Sequence, residues 1–277
     1  MTERTTTRGV APGDPSSGQP RDLAVVVLAA GVGRRLGEGD GLGPKWLTDV
    51  GGRPIAEHQL SGLERALDER CRAVVVAGHG MDRLERWLGG RPTAFPLDVC
   101  VNDEHVRRNN WYSLLVGLQW LADRRWDGAV VVLNSDLCAP AGWFGRFLED
   151  VRAVPGDGGV LAVDLERPLT DEAMKVDVRP TPDGAHRCVR IGKAGVEHPS
   201  GEYVGMAAFG PGGWMRLLEV LRSFCDRPEL ADAWYEAAIQ VLMDREPVAP
   251  WAVPDGCWTE IDDQVDLAEA RRLMAQV

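Results

Sequence analysis

Residues 27–47 read VLAAGVGRRLGEGDGLGPKWL. Ala29, Ala30, Gly31 and Gly33 follow an apolar run that ends at Leu28. Their small side chains leave backbone N–H groups open to an anion. Arg35 and then Lys45 stand in the same segment. Bare amides with two cations suit a triphosphate. A dinucleotide-binding turn fits less well. Its G-x-G-x-x-G pattern requires a third glycine where Leu36 stands, and no second strand ending in an acidic ribose ligand comes before Gly52. The Walker pattern is absent, because no Gly-Lys-Ser/Thr follows the loop.

Carboxylates come next. Residues 130–136, VVVLNSD, predict a buried strand that ends on Asp136. A carboxylate there suits Mg2+, which takes a few carboxylates together with phosphate oxygens and water. The alternative is a helix cap ahead of Trp143. Residues 258–263, WTEIDD, supply Asp262 and Asp263 as a second candidate, or else a strand end and a cap for a helix over 264–274. Between them lies NNWYS, in which Asn110 and Ser113 have the donors and acceptors to read a base edge or a ribose. Asn110 suits a helix N-cap equally well. Trp111 and Tyr112 suit either stacking on a ligand or packing.

Taken in order, LAAGxGxRL (28–36), Pro44-Lys45, Asn110-x-x-Ser113, Asp136, Met174-Lys175-Val176, Ile191-Gly192-Lys193, Gly201-Glu202-Tyr203-Val204-Gly205 and Asp262 resemble the nucleotidyltransferase superfamily. The nearest branch is the bacterial choline-phosphate and phosphonate cytidylyltransferases. The resemblance implies an α/β fold, a three-layer sandwich around a mostly parallel, Rossmann-like mixed sheet. It implies Arg35 and Lys45 as catalytic cations. It implies nucleotide contacts from Leu28, Ala29, Ala30, Gly31, Gly33, Arg35, Lys45, Asn110, Ser113 and Asp136. Mg2+ would sit on Asp136 and Asp262, with Asp263 the alternative one residue along. The acceptor would meet Lys175, Lys193, Glu202 and Tyr203; a quaternary amine would draw on Trp111, Tyr112, Tyr203 and Trp258, and Glu202 with Asp171 would suit a primary amine equally well. The implied reaction is transfer of CMP from CTP to the phosphate or phosphonate of a small acceptor, with release of pyrophosphate. A sugar-1-phosphate nucleotidyltransferase using UTP, dTTP or CTP is the first alternative. A molybdopterin-type enzyme would share the loop but not the MKV and GEYVG segments. A regulatory nucleotide-binding domain would be expected to lose Lys45 or a metal carboxylate. The chain departs from the pattern at Arg34, where a small hydroxyl residue is common.

These residues need strands to end beside one another. Apolar runs at 23–28, 73–77, 97–101 and 129–133 predict strands, with helices over 55–67, 81–88 and 113–121 between them. Such alternation predicts a parallel sheet, whose ligands lie beyond the carboxyl ends of the strands. Further strands are expected at 160–163, 175–178, 189–191 and 203–209, a hairpin at Pro182-Asp183-Gly184, and helices over 214–224 and 231–243. The reading is a disordered tail over 1–21, then one domain over 22–277. Its nucleotide-binding half spans about 22–140 and its acceptor-binding half about 141–277. The glycine-rich stretch 37–43 is expected to order with nucleotide.

Composition narrows the partners. The 277 residues carry a net charge of −11, which disfavours broad nucleic-acid binding. Six cysteines without a C-x-x-C pair predict reduced thiols and a cytoplasmic protein. No apolar run approaches the length of a membrane span, and no hydrophobic signal core opens the chain. A homodimer stays open, with 214–243 as either a dimer surface or an acceptor lid.

Overall fold

The computed structural model describes residues 22–31, 33–36, 43–254 and 257–276. The expected tail over 1–21 and most of the glycine-rich stretch lie outside the described residues. The first half runs β1 (Leu23–Ala29), β2 (Asp49–Val50), β3 (Arg53–Pro54), α1 (Ile55–Leu63), β4 (Arg72–Ala77), α2 (Met81–Gly89), β5 (Leu97–Val101), α3 (Asn110–Asp123) and β6 (Ala129–Asn134). It continues through β7 (Leu137–Cys138), α4 (Ala141–Asp150), β8 (Gly159–Asp164), β9 (Lys175–Pro180), β10 (His186–Gly192) and β11 (Gly201–Phe209). The chain closes with α5 (Pro211–Phe224), α6 (Glu236–Met243), β12 (Val248–Ala252), β13 (Thr259–Glu260) and α7 (Gln264–Met274).

The centre of the sheet is set by three valine triplets, Val25–Val27, Val74–Val76 and Val130–Val132, all fully buried. Strands covered on both faces read as continuous apolar runs rather than as alternation. β5, β4, β1 and β6 lie side by side and parallel. The sheet then turns antiparallel: β11 pairs with β6, β8 and β9, β9 pairs with β10, and β12 runs parallel to β8. Residues of alternate parity along β1 point to opposite faces. Val25 and Val27 join the core under α1, α4 and α7, while Ala24, Val26 and Leu28 join the core under α3, α5 and α6. The result is the expected three-layer sandwich.

Boundaries differ from the expectation where local hydrogen bonds decide them. The helix predicted over 55–67 ends at Leu63, and its last turn tightens through Arg65 N to Gly62 O and Ala66 N to Leu63 O. α3 begins at Asn110, because Asn109, not Asn110, caps it, its side chain accepting from the Asn110 N–H. The helix expected from 231 starts at Glu236, after a 3-10 turn at Pro228–Leu230. β12 escapes the apolar pattern because Pro250 interrupts it.

Candidate active site

β1 and β6 are neighbours in register, with Leu28 opposite Asn134. The two chains therefore leave the sheet together, one into Ala30, Gly31 and Gly33, the other into Ser135 and Asp136. A two-residue ribbon brings in the third segment. Thr259 and Glu260 of β13 pair with Cys138 and Leu137 of β7, and the Ile261 N–H donates to the Asp136 carbonyl at 3.1 Å. Backbone pairing thus sets Asp262 beside Asp136.

Lys45 joins the two. Its Nζ donates to Asp136 Oδ2 at 2.7 Å and to Asp262 Oδ1 at 2.6 Å. Arg35, largely exposed, reaches Asp262 Oδ2 at 3.0 Å. Burial opposes the charge on Lys45, but attraction and hydrogen bonds from both aspartates outweigh it and hold the ammonium well above its ordinary pKa. Burial likewise opposes ionisation of Asp262, and Lys45 overrides it, lowering that carboxyl. Gly33 adopts φ +63°, and a Cβ there would stand 3.3 Å from Lys45 Cβ. The turn therefore requires glycine for its conformation and lies directly against the lysine.

Gln59 fixes the relative placement. It is fully buried in α1, and its Nε2 donates to the carbonyls of Asn134 and Leu137 at 2.9 and 2.7 Å, bracing the turn that carries Asp136. Its Oε1 accepts from Trp46 Nε1 at 2.8 Å, bracing the turn that carries Lys45. The sequence signal for Gln59 is a lone amide inside the apolar stripe of Ile55, Ala56, Leu60 and Leu63, a position where an unpartnered polar group would be costly.

The helix-cap alternative for Asp136 is not what forms. Pro140 precedes α4, and Asp136 Oδ1 is buried without a hydrogen-bond partner. Asp263, by contrast, is the cap of α7. Its Oδ1 accepts from Val265 N and Asp266 N, and Asp266 Oδ2 returns bonds to the N–H groups of Asp262 and Asp263. Among the described residues no three His, Cys, Asp or Glu converge as a metal cage. Two carboxylates within reach of one ammonium, one of them with an orphaned buried oxygen, fit a hard divalent ion that takes its remaining ligands from phosphate and water.

A cavity of about 620 Å³ opens over this cluster. Leu28, Ala30, Gly31, Gly33, Arg35, Lys45, Asn110, Ser113, Asp136, Lys193, Glu202, Tyr203, Asp262 and Asp263 all line it. Ala29 is packed into the core and is not in the lining. Lys175 is not in the lining either. Its Nζ donates to the carbonyls of Asp171, Ala173 and Lys193, so it ties loops together instead of facing an acceptor. Trp111 is fully buried and donates from Nε1 to Ala231 O, and neither it nor Tyr112 lines the cavity. Trp258 does, with Nε1 on Asp164 Oδ2 at 2.7 Å. Ser113 Oγ accepts from the buried Asn102 Nδ2 at 2.9 Å. Residues 214–243 divide: Trp214 is core, whereas Trp234 and Glu236 line the cavity.

Sequence reasoning missed Asn134, Arg167, Trp234, Glu236 and Glu260 in this lining. The signal for Asn134 was a polar residue closing an otherwise apolar strand. It faces Gly205, which adopts φ +80° and where a Cβ would stand 2.7 Å from Asn134 Nδ2. Burial, followed by the neighbouring Asp136 and Asp262, pushes the Glu260 carboxyl well above the ordinary range. Among the described residues no helix is long and apolar enough to cross a membrane.

Comparison with known proteins places these features. The sequence family described as the MobA-like NTP transferase domain matches residues 25–276. The CMP-5'-(3-aminopropyl)phosphonate synthase of Streptomyces rubellomurinus is 29% identical over 90% of this chain, and the chain spans 38% of that relative's length. Among solved structures, the inositol-1-phosphate CTP transferase from T. maritima superposes with a TM-score of 0.73 at 22% identity, covering 93% of this chain and 96% of the other. A UDP-glucose pyrophosphorylase from Acinetobacter baumanii gives 0.66 at 16% identity, covering 91% and 92%. At these identities the two structures speak to the fold.

Proposed function

The chain belongs to the MobA-like NTP transferase family, and on that premise we propose that it is a magnesium-dependent cytidylyltransferase acting on a small phosphonate or phosphate. The observation that carries the reading is the Lys45 ammonium held between Asp136 and Asp262, against the Gly33 turn. An acceptor oxygen, already anionic at neutral pH, attacks the α-phosphorus of CTP. A new P–O bond forms as the bond from the α-phosphorus to the bridging oxygen breaks, and pyrophosphate leaves with the electron pair. No proton has to move.

The difficulty is bringing two anions together. Asp136 and Asp262 would hold Mg2+, which supplies positive charge to the triphosphate when bound. Lys45 and Arg35 stabilise charge as it moves onto the leaving group. Amides at Ala30, Gly31 and Gly33 hold the triphosphate in line with the acceptor on this reading. On this reading Ser113 and Asn110 contact the nucleotide, and Lys193, Glu202 and Tyr203 contact the acceptor. The choice of cytidine rests on the Asn110-x-x-Ser113 and GEYVG resemblances and on the likeness to the Streptomyces CMP-5'-(3-aminopropyl)phosphonate synthase.

The test is pyrophosphate release with Mg2+, each nucleoside triphosphate in turn, and a panel of phosphonates, choline phosphate and sugar phosphates. Release with CTP and a small acceptor is expected. Release confined to UTP or dTTP with a hexose phosphate would move the protein to sugar-nucleotide synthesis. Nucleotide binding without turnover on any acceptor would favour a regulatory domain.

A further inference from the structure

Glu236, the first residue of α6, is 4% exposed and lines the cavity, and its Oε2 is buried without a hydrogen-bond partner. Its neighbours are engaged elsewhere. The Tyr235 hydroxyl donates to Asn134 Oδ1 at 3.0 Å and shares a hydrogen bond with the Tyr203 hydroxyl at 2.8 Å. Lys193 pairs with Glu172 at 3.1 Å and lies over the Trp234 ring, 4.8 Å from its centroid. Glu202, also in the lining, has no ion pair among the described residues. Burial pushes its carboxyl up as well, and pushes that of Glu236 up to about 7.

A buried carboxylate oxygen without a partner, as at Glu236 Oε2, is costly unless a ligand supplies one. We propose, resting on the cytidylyltransferase reading above, that the acceptor carries a primary ammonium group remote from its phosphoryl or phosphonyl oxygen, and that Glu236 binds this ammonium. The unpartnered oxygen calls for an N–H or O–H donor, which a trimethylammonium group lacks. The buried charge calls for a cation, which a hydroxyl is not. Trp234, the exposed aromatic that would attract a quaternary amine, is already faced by Lys193. Glu202 adds negative charge to the same cavity.

The experiment compares kcat/KM with CTP for two- and three-carbon ω-aminoalkyl phosphonates, their ω-hydroxy analogues and choline phosphate, in the wild type and in Glu236→Gln. The wild type is expected to favour the amines by about 100-fold or more, as sites built for a charged hydrogen bond reject analogues that lack it. In Glu236→Gln that preference should collapse, the amine losing far more than the hydroxy analogue. The wild-type panel decides the matter even if the variant folds poorly. Wild-type turnover of the hydroxy or trimethylammonium acceptors at least equal to that of the amines would overturn the inference and leave cytidylyl transfer standing. So would a Glu236→Gln variant that loses thermal stability while keeping the amine preference, since Glu236 would then serve only the start of its helix. Turnover only with UTP or dTTP and hexose phosphates would overturn both readings.

Discussion

Within one cavity Lys45 forms ion pairs with two aspartates at once, while among the described residues no ion pair reaches Glu236, whose Oε2 has no hydrogen-bond partner. The Lys45 cluster stands on the ends of adjacent parallel strands and on a short ribbon, braced from beneath by Gln59. The Glu236 cluster is gathered from an antiparallel strand, the residues just before α6 and the start of that helix. On the proposed function, the difference separates common chemistry from selection: the charges proposed to act on the triphosphate are ion-paired within the protein, whereas the group proposed to choose the acceptor is buried and left for the ligand to complete.

The sharpest way to break this contrast is to remove Lys45. Lys45→Ala should lower kcat by ~10²–10³, the cost of losing one oriented electrostatic contact. Thermal unfolding should show a folded protein. Turnover close to wild type in such a variant would leave the cluster without its central role.

The next effect belongs to Glu236. Its carboxyl titrates at about 7 in the folded protein against 4.5 ordinarily, because burial, reinforced by Asp136, outweighs Lys193 and Tyr235. The folded state therefore holds the proton more tightly. The stabilisation is complete below pH 4.5 and is lost as pH rises through about 7. At 1.36 kcal/mol per pKa unit this amounts to about 3 kcal/mol. Denaturant titrations of the ligand-free protein from pH 4 to 8 should show the decline, and Glu236→Gln should flatten it. An equal slope in both proteins would remove the basis for an incomplete site.

Gln59→Leu should act on Lys45 and Asp136 together, without touching substrate. It strands the Trp46 indole N–H and two carbonyls, so a stability loss of about 1–3 kcal/mol is expected. The accompanying fall of about tenfold should appear in kcat more than in the KM for CTP, as expected of misplaced reacting groups. A rise in the KM for CTP with kcat unchanged would place Gln59 in nucleotide binding instead.

The two lysines give the smallest effect and the finest contrast. Lys193→Met should raise the acceptor KM by about tenfold, the cost of one charged contact. Lys175→Met should lower thermal stability and change that KM less, because three carbonyls hold its ammonium. The reverse ranking would return Lys175 to the acceptor.

The same contrast explains what the sequence could say. The valine triplets fixed the strands because burial on both faces leaves a local, continuous signal. Strand order places ligands at strand ends, so Gly31, Gly33 and Asp136 were legible from position alone. Asp262 was found only to within one residue. What separates it from Asp263 is that Asp263 caps α7, a local bond that the Asp-x-x-Asp spacing of Asp263 and Asp266 already hinted at. The sequence places Lys175 at the acceptor and leaves Trp111 open between stacking and packing; each is turned toward backbone or core by partners distant in sequence. Trp234 and Glu236 carried no motif. They reach the cavity through tertiary contacts, such as the Tyr235 N–H on Asn110 Oδ1, which no local pattern reports.

The proposed reaction is transfer of a cytidylyl group by this cluster to a small acceptor. It is tested most directly by mass spectrometry of the products formed when the protein meets Mg2+, equimolar CTP, UTP, ATP, GTP and dTTP, and an aminoalkyl phosphonate in one vessel. A CMP-linked phosphonate is expected as the dominant product, lost in Lys45→Ala. A uridylyl or thymidylyl adduct in its place, or a cytidylyl adduct that persists undiminished in Lys45→Ala, would contradict it.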